Sequence, residues 1–315
     1  MFDLQMKNKE NTILIAGGSG LVGKRLTTLL AQKGYYINIL SRSARKSRNP
    51  KVSFFQWNID QQEIDIDSLN ADFIINLAGA GIADKRWTSI RKKEILDSRT
   101  KSTSLIASAV EQNKFSVKHY IGASAIGIYG SSNQSLLTEE QSSEDSEFMV
   151  DVCTQWEKAH QKLQALTAKL SILRIGIVLS TKGGALKEIL KPLLIGRLGT
   201  YFGDGQMVYS WIHIDDLCNM CIDIIENKID DDLYNAVSPN PSTNKHLVDK
   251  IIQAKNLNAI KVPAPSFIIK IILGEMSNTI LNSTSVSSAK IQSAGFNFEF
   301  PDLNYALKDI FDNNK

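Results

Sequence analysis

The stretch "TILIAGGSGLVGKRLTTLLAQKG" (residues 12–34) decides the fold. "TILIA" (12–16) is short, β-branched and apolar on both faces, as a strand buried between two layers must be. It runs straight into "GGSGLVG" (17–23) and then into a helical pattern. That pattern places Val22, Leu26, Leu29 and Leu30 on one face, with Gly34 as a C-cap. Gly17, Gly20 and Gly23 form G-x-x-G-x-x-G, while Gly18, Gly20 and Gly23 also satisfy G-x-G-x-x-G. Both spacings allow a tight turn, a close approach of backbone to a pyrophosphate, and tight packing of the helix on the strand. Glycine motifs are common, and the bland alternative is a turn with no ligand. The strand before it and the helix after it are the context that favours a dinucleotide loop. Its backbone N–H groups and the helix dipole then face phosphate, which makes Gly17, Gly18, Ser19, Gly20, Leu21, Val22 and Gly23 candidate cofactor contacts.

Further strands are expected at 35–40, 52–57, 72–78, 118–124 and 170–179, with helices at 98–113 and 147–168 between the later ones. Strand–helix alternation of this kind predicts an α/β fold with a doubly wound parallel sheet. After about residue 180 the texture changes. Gly183, Gly184, Gly196, Gly199, Gly203 and Gly205 fall close together beside Pro192. The expected division is a cofactor domain over 11–180 and a smaller C-terminal substrate lobe with a helical tail over 181–315. A strand at 233–237 is expected to return to the main sheet. A helix after "WIHIDD" (211–216) is expected to be capped by Asp215 or Asp216, with further helices around 243–254, 266–280, 286–294 and 303–313.

The bulk numbers exclude several classes. Lys and Arg number 36 against 33 Asp and Glu, a net charge of +3 that gives no reason to expect nucleic acid as a partner. The start, "MFDLQMKNKENT", has no apolar core of a secretory leader, and no run approaches the roughly 20 apolar residues of a membrane span. Three cysteines make no disulfide framework, so a cytoplasmic, reducing compartment is expected, with no membrane partner. Cys218 and Cys221 form C-x-x-C without a second ligand pair of zinc spacing. They read as core packing, and no metal is expected.

Selectivity between dinucleotides is read about 20 residues past the loop. A carboxylate there would bond the ribose 2′-hydroxyl of NAD. This chain has Ser41, Arg42 and Ser43 instead, followed by Arg45, Lys46 and Arg48. A guanidinium matches a 2′-phosphate, so NADP(H) is expected over NAD(H). A solvated basic loop is the alternative. In "NLAGAGIADKRW" (76–87), Leu77, Ala78 and Gly79 are candidate contacts for the cofactor's ribose and nicotinamide half. Lys85, Arg86, Arg91 and Arg99 are candidates for a substrate phosphate or carboxylate, against the commoner reading of a solvated helix face.

The set "AGGSGLVG", "NLAGAGI", "SAIGIYG", "LRIGIVLS" and "WIHIDDL" resembles the extended short-chain dehydrogenase/reductase superfamily, in its NAD(P)-dependent epimerase/dehydratase branch. "ADKRW", "ILDSRT", "WEKA", "GGAL", "GDGQMVYSWIHIDDL" and the tail at 262–311 are similar to a subgroup called epimerase-family proteins, some of which carry an old label as cell-division inhibitors. The resemblance covers about residues 11–313. It implies a Rossmann-type cofactor domain, a smaller substrate lobe and a small-molecule substrate, and it leaves a homodimer open.

The resemblance also implies a Ser or Thr after the fifth strand, and a Tyr-x-x-x-Lys pair on the following helix. Ser124 matches the first, although counting back from Tyr129 puts Ala125 in the slot. The pair is missing. Cys153 and Glu157 hold the i, i+4 spacing instead. A carboxylate cannot supply the charge of Lys and would raise a neighbouring thiol's pKa. Cys153 therefore reads as a small buried hydrophobe. Glu157 reads evenly as a general base or as the partner of a basic side chain. Ser124, Glu157 and Tyr129 are the catalytic candidates. Arg174 and His213 lie in motifs of the substrate lobe, and Trp87, Trp156 and Trp211 read as core before pocket wall. Two functions stay open: an NADP(H)-dependent oxidoreductase or epimerase-like enzyme, and a non-catalytic NADP(H)-binding sensor or regulator.

Overall fold

A computed structural model of the chain describes residues 11–132, 136–141, 143, 146–313 and 315. Residues 1–10, which carry most of the stretch read for a leader, lie outside them. The main sheet contains β1 (Thr12–Ala16), β2 (Tyr36–Ser41), β3 (Val52–Asn58), β4 (Glu63–Ile64), β5 (Phe73–Asn76), β6 (His119–Ala125), β7 (Leu170–Ile175) and, after a short strand β8 (Ile177–Leu179), β9 (Leu198–Phe202), β10 (Val208–Tyr209) and β11 (Trp211–His213), the late strand β12 (Leu233–Ala236). Its order is β12-β7-β6-β5-β1-β2-β3-β4. Every pairing in it is parallel except the short β3–β4 edge. The chain steps outward from β1 to β3, then crosses back to β5. The order reverses between β1 and β5, and the crevice at that reversal is where α/β sheets bind ligands.

Alternation along β1 explains why the strand signal is strong. Ile13 and Ile15 enter one core cluster, and Leu14 and Ala16 enter another on the opposite face. The first cluster packs α1 (Leu21–Gln32) and α5 (Ile214–Ile225) on the sheet, through Leu26, Leu30, Leu217 and Ile224. The second packs α2 (Ser89–Asn113) on the sheet through Leu105, Ile106 and Val110. α3 (Phe148–Gln161) runs beside α2 and buries Met149, Val152 and Cys153 in a separate cluster with Trp87 and Ile128.

After β7 the chain builds smaller units. β8 pairs with β11, β9 with β14 (Ile260–Ala264), and β10 with β13 (Ser242–Thr243). A fourth core joins α4 (Gly184–Gly196), α6 (Asn244–Ala254) and α10 (Leu303–Asp312) around Trp211. The stretch expected as one helix over 266–280 is two, α7 (Ser266–Leu273) and α8 (Met276–Leu281), broken at Gly274 with φ +61°. A last short helix, α9 (Ala289–Ser293), precedes α10. Among the described residues no helix is long and apolar enough to cross a membrane.

Two expectations about α5 and its cysteines resolve clearly. The cap is His213, whose Nδ1 accepts from the Asp215 backbone N–H at 3.1 Å. Neither aspartate is free for that role. Asp215 is held by Arg25, and Asp216 accepts the backbone N–H groups of Glu299 and Phe300. Cys218 and Cys221 are buried thiols packed in the first core, and burial raises the pKa of both.

Candidate functional site

The glycine loop is closed by backbone contacts. Gly17 has φ +81°, and a Cβ there would lie 2.6 Å from the Leu77 carbonyl oxygen. The loops leaving β1 and β5 therefore touch backbone to backbone at the switch point. A Cβ at Gly23 would collide with the Gly17 carbonyl and lie 2.6 Å from Gly18 Cα. Glycine at 17 and 23 is thus demanded by shape. The N-cap of α1 is Gly20, with no side-chain cap, so the first-turn N–H groups keep their donors for a ligand.

Beside this loop lies an open groove of about 530 Å³. Gly18, Ser19, Lys24, Thr27, Thr28, Ile39, Arg45, Ser47 and Asn49 are among its lining residues, and no acidic side chain is. The cations in it are Lys24 and Arg45. The sequence puts Arg42, flanked by Ser41 and Ser43, at the selectivity position, with Arg45 among the basic residues that follow. Ser41 is buried, its Oγ accepting from Ser43 N–H, and Arg42 is exposed but outside the groove. Lys24, directly after the loop's last glycine and in the first turn of α1, was missed because the glycine motif assigns it no role. Only the packing of α1 beside β2 and β3 brings it to the same wall.

On the other side of β1, Leu77 and Ala78 follow β5, and Asn76 Oδ1 accepts the Ala78 N–H at 3.1 Å. Asn76 Nδ2 donates to Tyr120 OH at 3.0 Å. Tyr120 OH lies 2.8 Å from His160 Nδ1, and His160 Nε2 lies 2.9 Å from the Ala123 carbonyl. This buried chain fixes the turn after β5. Burial pushes His160 down to about 4 and leaves it neutral near pH 7.

The three catalytic candidates fall into one polar network at the carboxyl ends of β6 and β7. Ser124 Oγ donates to Glu157 Oε1 at 2.7 Å. Arg174 forks onto the same carboxylate, Nε to Oε1 at 2.9 Å and Nη2 to Oε2 at 3.0 Å. Its Nη1 donates to Tyr129 OH at 2.9 Å and to the Glu139 carbonyl at 3.0 Å. Tyr129 OH in turn donates to Asn235 Oδ1 at 2.7 Å. Burial works against the Arg174 charge, yet the Glu157 bonds outweigh it and its pKa is raised. Burial also raises the Tyr129 phenol, against the pull of Arg174. Of the two even readings of Glu157, the geometry shows a basic partner, Arg174 on β7, and does not decide the role of general base.

Cys153 is fully enclosed, and burial pushes its thiol up to about 12. At neutral pH it is a packed, protonated side chain. Trp87, Trp156 and Trp211 are all buried; Trp87 Nε1 donates to the Ile82 carbonyl and Trp211 Nε1 to the Asn240 carbonyl. His213, Asp215 and Asp309 gather closely enough to suggest metal ligands. Their charge is already met, since Arg25 holds Asp215 and the Lys315 ammonium lies 2.7 Å from both Asp215 and Asp309.

The model of the NAD dependent epimerase/dehydratase family matches residues 13–236, and that of DUF1731, a domain of unknown function, matches residues 264–310. Epimerase family protein YfhF of Bacillus subtilis (strain 168) is 32% identical over 303 residues, which cover 96% of this chain and 99% of that protein. The crystal structure of human epimerase family protein SDR39U1 (isoform 2) with NADPH is similar with a TM-score of 0.82 at 26% identity, over 96% of this chain and 99% of that one. The nucleoside-diphosphate sugar epimerase from Corynebacterium glutamicum gives a TM-score of 0.73 at 30% identity, over 95% of this chain and 58% of that longer one. The family match runs from the first strand of the main sheet to the last, and the glycine loop, helix start and switch-point crevice lie within it. This chain belongs to the NAD-dependent epimerase/dehydratase family and carries its NAD(P)-binding fold.

Proposed function

We propose that the crevice binds NADP(H) in preference to NAD(H), and that the protein is an oxidoreductase or epimerase-like enzyme acting on a small hydroxyl- or carbonyl-bearing substrate, nucleotide-linked compounds among them. One observation carries the cofactor preference. The groove beside the glycine loop is lined by Lys24 and Arg45 and by no carboxylate, so it suits a phosphorylated ribose and offers no charged acceptor for a free 2′-hydroxyl pair. The human relative crystallised with NADPH supports the same reading. Calorimetry tests it. NADPH should bind more tightly than NADH, and Arg45→Ala should weaken NADPH about tenfold while leaving NADH unchanged. Equal affinities for the two dinucleotides in the wild type would sink the preference.

The bound nicotinamide would supply hydride transfer. The chain's own part is to hold the substrate and move a proton. Ser124 stands at the end of β6 with its hydroxyl bonded to Glu157. A substrate hydroxyl that reaches Ser124 Oγ has a path for its proton along Ser124 to Glu157, with Arg174 fixing the carboxylate. Tyr129 acts one bond further back by positioning Arg174. Ser124→Ala should then reduce NADPH oxidation at least ~100-fold on any carbonyl compound that the wild type turns over, with NADPH affinity intact. Retention of most of the turnover would remove Ser124 from the reaction.

The second reading, a non-catalytic NADP(H)-binding sensor or regulator, draws on Cys153 and Glu157. The positions of the usual acid–base pair hold an enclosed neutral thiol and a carboxylate already bonded on both oxygens. Tight NADPH binding with no turnover across a broad carbonyl panel would favour it.

A further inference from the structure

Among the described residues, Arg99 is a buried cation without an anion. It lies on α2, 9% exposed. Its Nη1 donates to two carbonyls, Ile95 at 2.9 Å and Ala80 at 3.1 Å. Its Cζ lies 5.0 Å from the Trp156 ring centroid. Among the described residues it has no carboxylate partner, and its Nε and Nη2 make no hydrogen bond. The other buried arginines are built differently, and so is the half-buried Arg25: Arg174 is forked onto Glu157, Arg91 pairs with Glu94 at 2.6 Å, and Arg25 pairs with Asp215 at 2.6 Å. Burial lowers the Arg99 pKa, whereas the carboxylate partners of Arg25 and Arg174 raise theirs.

A buried charge left unpaired is costly, and a fold keeps one when something else supplies the counter-charge. The surroundings say where that anion enters. A Cβ at Gly79 would lie 3.0 Å from Arg99 Cζ, so the bare glycine stacks on the guanidinium and leaves the Nε–Nη2 edge uncovered by a side chain. Gly79 is exposed and follows Leu77 and Ala78 on the turn that touches the glycine loop. The edge left over is the two-donor edge that matches a carboxylate or phosphate. Trp156, whose ring lies against Arg99, directly precedes Glu157 on α3, so the unpaired cation and the Ser124–Glu157 pair meet the same helix at neighbouring positions. Lys85 and Arg86 are exposed, and Arg91 is buried with its Nη1 on Glu94 and its Nη2 on the Gly81 carbonyl, which leaves its Nε alone unbonded, so Arg99 is the one of these four cations that combines burial with an open two-donor edge.

We propose that Arg99 receives an oxyanion of the substrate, a carboxylate or phosphate a few bonds from the reacting carbon, through its unbonded Nε–Nη2 edge beside Gly79. The inference rests on the reading that the crevice holds the dinucleotide and a small molecule next to it. The glycine loop and the Lys24–Arg45 groove already meet the dinucleotide's phosphates, so the anion on Arg99 belongs to the second ligand.

The test separates these readings. NADPH is first titrated into wild type and Arg99→Gln, which reports on the cofactor site alone. Inorganic phosphate and acetate are then titrated at saturating NADPH and constant ionic strength, read by calorimetry and melting temperature. Wild type should bind at least one anion saturably, Arg99→Gln should bind it at least ~10-fold more weakly, and the NADPH affinities should agree within about threefold. Arg99→Lys keeps the charge and loses the fork, so it should fall between the two; it carries the comparison if the glutamine variant does not fold. Equal anion affinity in wild type and variants, or no anion binding by wild type, overturns the proposal. A tenfold loss of NADPH affinity in Arg99→Gln would also overturn it, by making a cofactor phosphate the ligand. Absence of NADPH binding by wild type would instead strike the reading of the crevice.

Discussion

Acidification from pH 7 to pH 4 is expected to unfold the protein before most of its carboxylates are protonated. His119, His160 and His213 are all enclosed, and burial pushes each of them down to about 4. In the unfolded chain each would titrate near ~6.5. Below that value the unfolded state takes up protons that the folded state refuses. The stability they allow is therefore present above pH ~6.5 and lost as pH falls towards ~4. Each contributes roughly 3 kcal/mol over that window. Asp216 opposes them. Burial raises its pKa to about 6, so the folded state protonates it first and regains roughly 3 kcal/mol as pH falls. At His213 the neighbouring Asp215 and Asp309 favour its proton, while Lys315 disfavours it. The net loss, roughly 6 kcal/mol, is comparable with the whole stability of an ordinary domain. Melting temperatures at pH 7, 6 and 5 should fall at each step. A flat profile between pH 7 and 5 would show that these imidazoles are solvated.

Removing one side of the buried pair beside Ser124 should be the most damaging single substitution near the site. Arg174→Met strips Glu157 of its forked donor and leaves only the Ser124 hydroxyl on a carboxylate 9% exposed. The Tyr129 hydroxyl and the Glu139 carbonyl lose a donor as well. The expected cost is ~3–5 kcal/mol by chemical denaturation. The double variant Arg174→Met/Glu157→Leu should recover most of it, because no unpaired charge then remains. A cost below ~1 kcal/mol for Arg174→Met would mean that water reaches the carboxylate.

The sequence foretold the sheet because its strands are buried on both faces and so lack polar interruptions, as in β1. Helices were less legible where charge hid the period. The first turns of α2, "SIRKKEILD" (89–97), are dense in cations, and their start at Thr88 was missed although its hydroxyl caps the Arg91 N–H. The glycine turn could be read from its spacing together with the strand and helix that flank it, since steric demands at Gly17 and Gly23 leave one residue type. The groove could not, because Lys24 and Arg45 meet only through the packing of α1 on β2 and β3. The same limit applies to the pair Glu157–Arg174, 17 positions apart and joined by the approach of α3 to β7. Arg99 was visible as one cation among four; its isolation needed the positions of every carboxylate around it.

The contact of Gly17 with Leu77 has a kinetic corollary. Because the two walls of the crevice already rest on each other through main-chain atoms, little hinge bending is left for the cofactor to induce there. Stopped-flow mixing with NADPH should show a single phase whose observed rate rises linearly with concentration, the signature of a receptor that is ready before its ligand arrives.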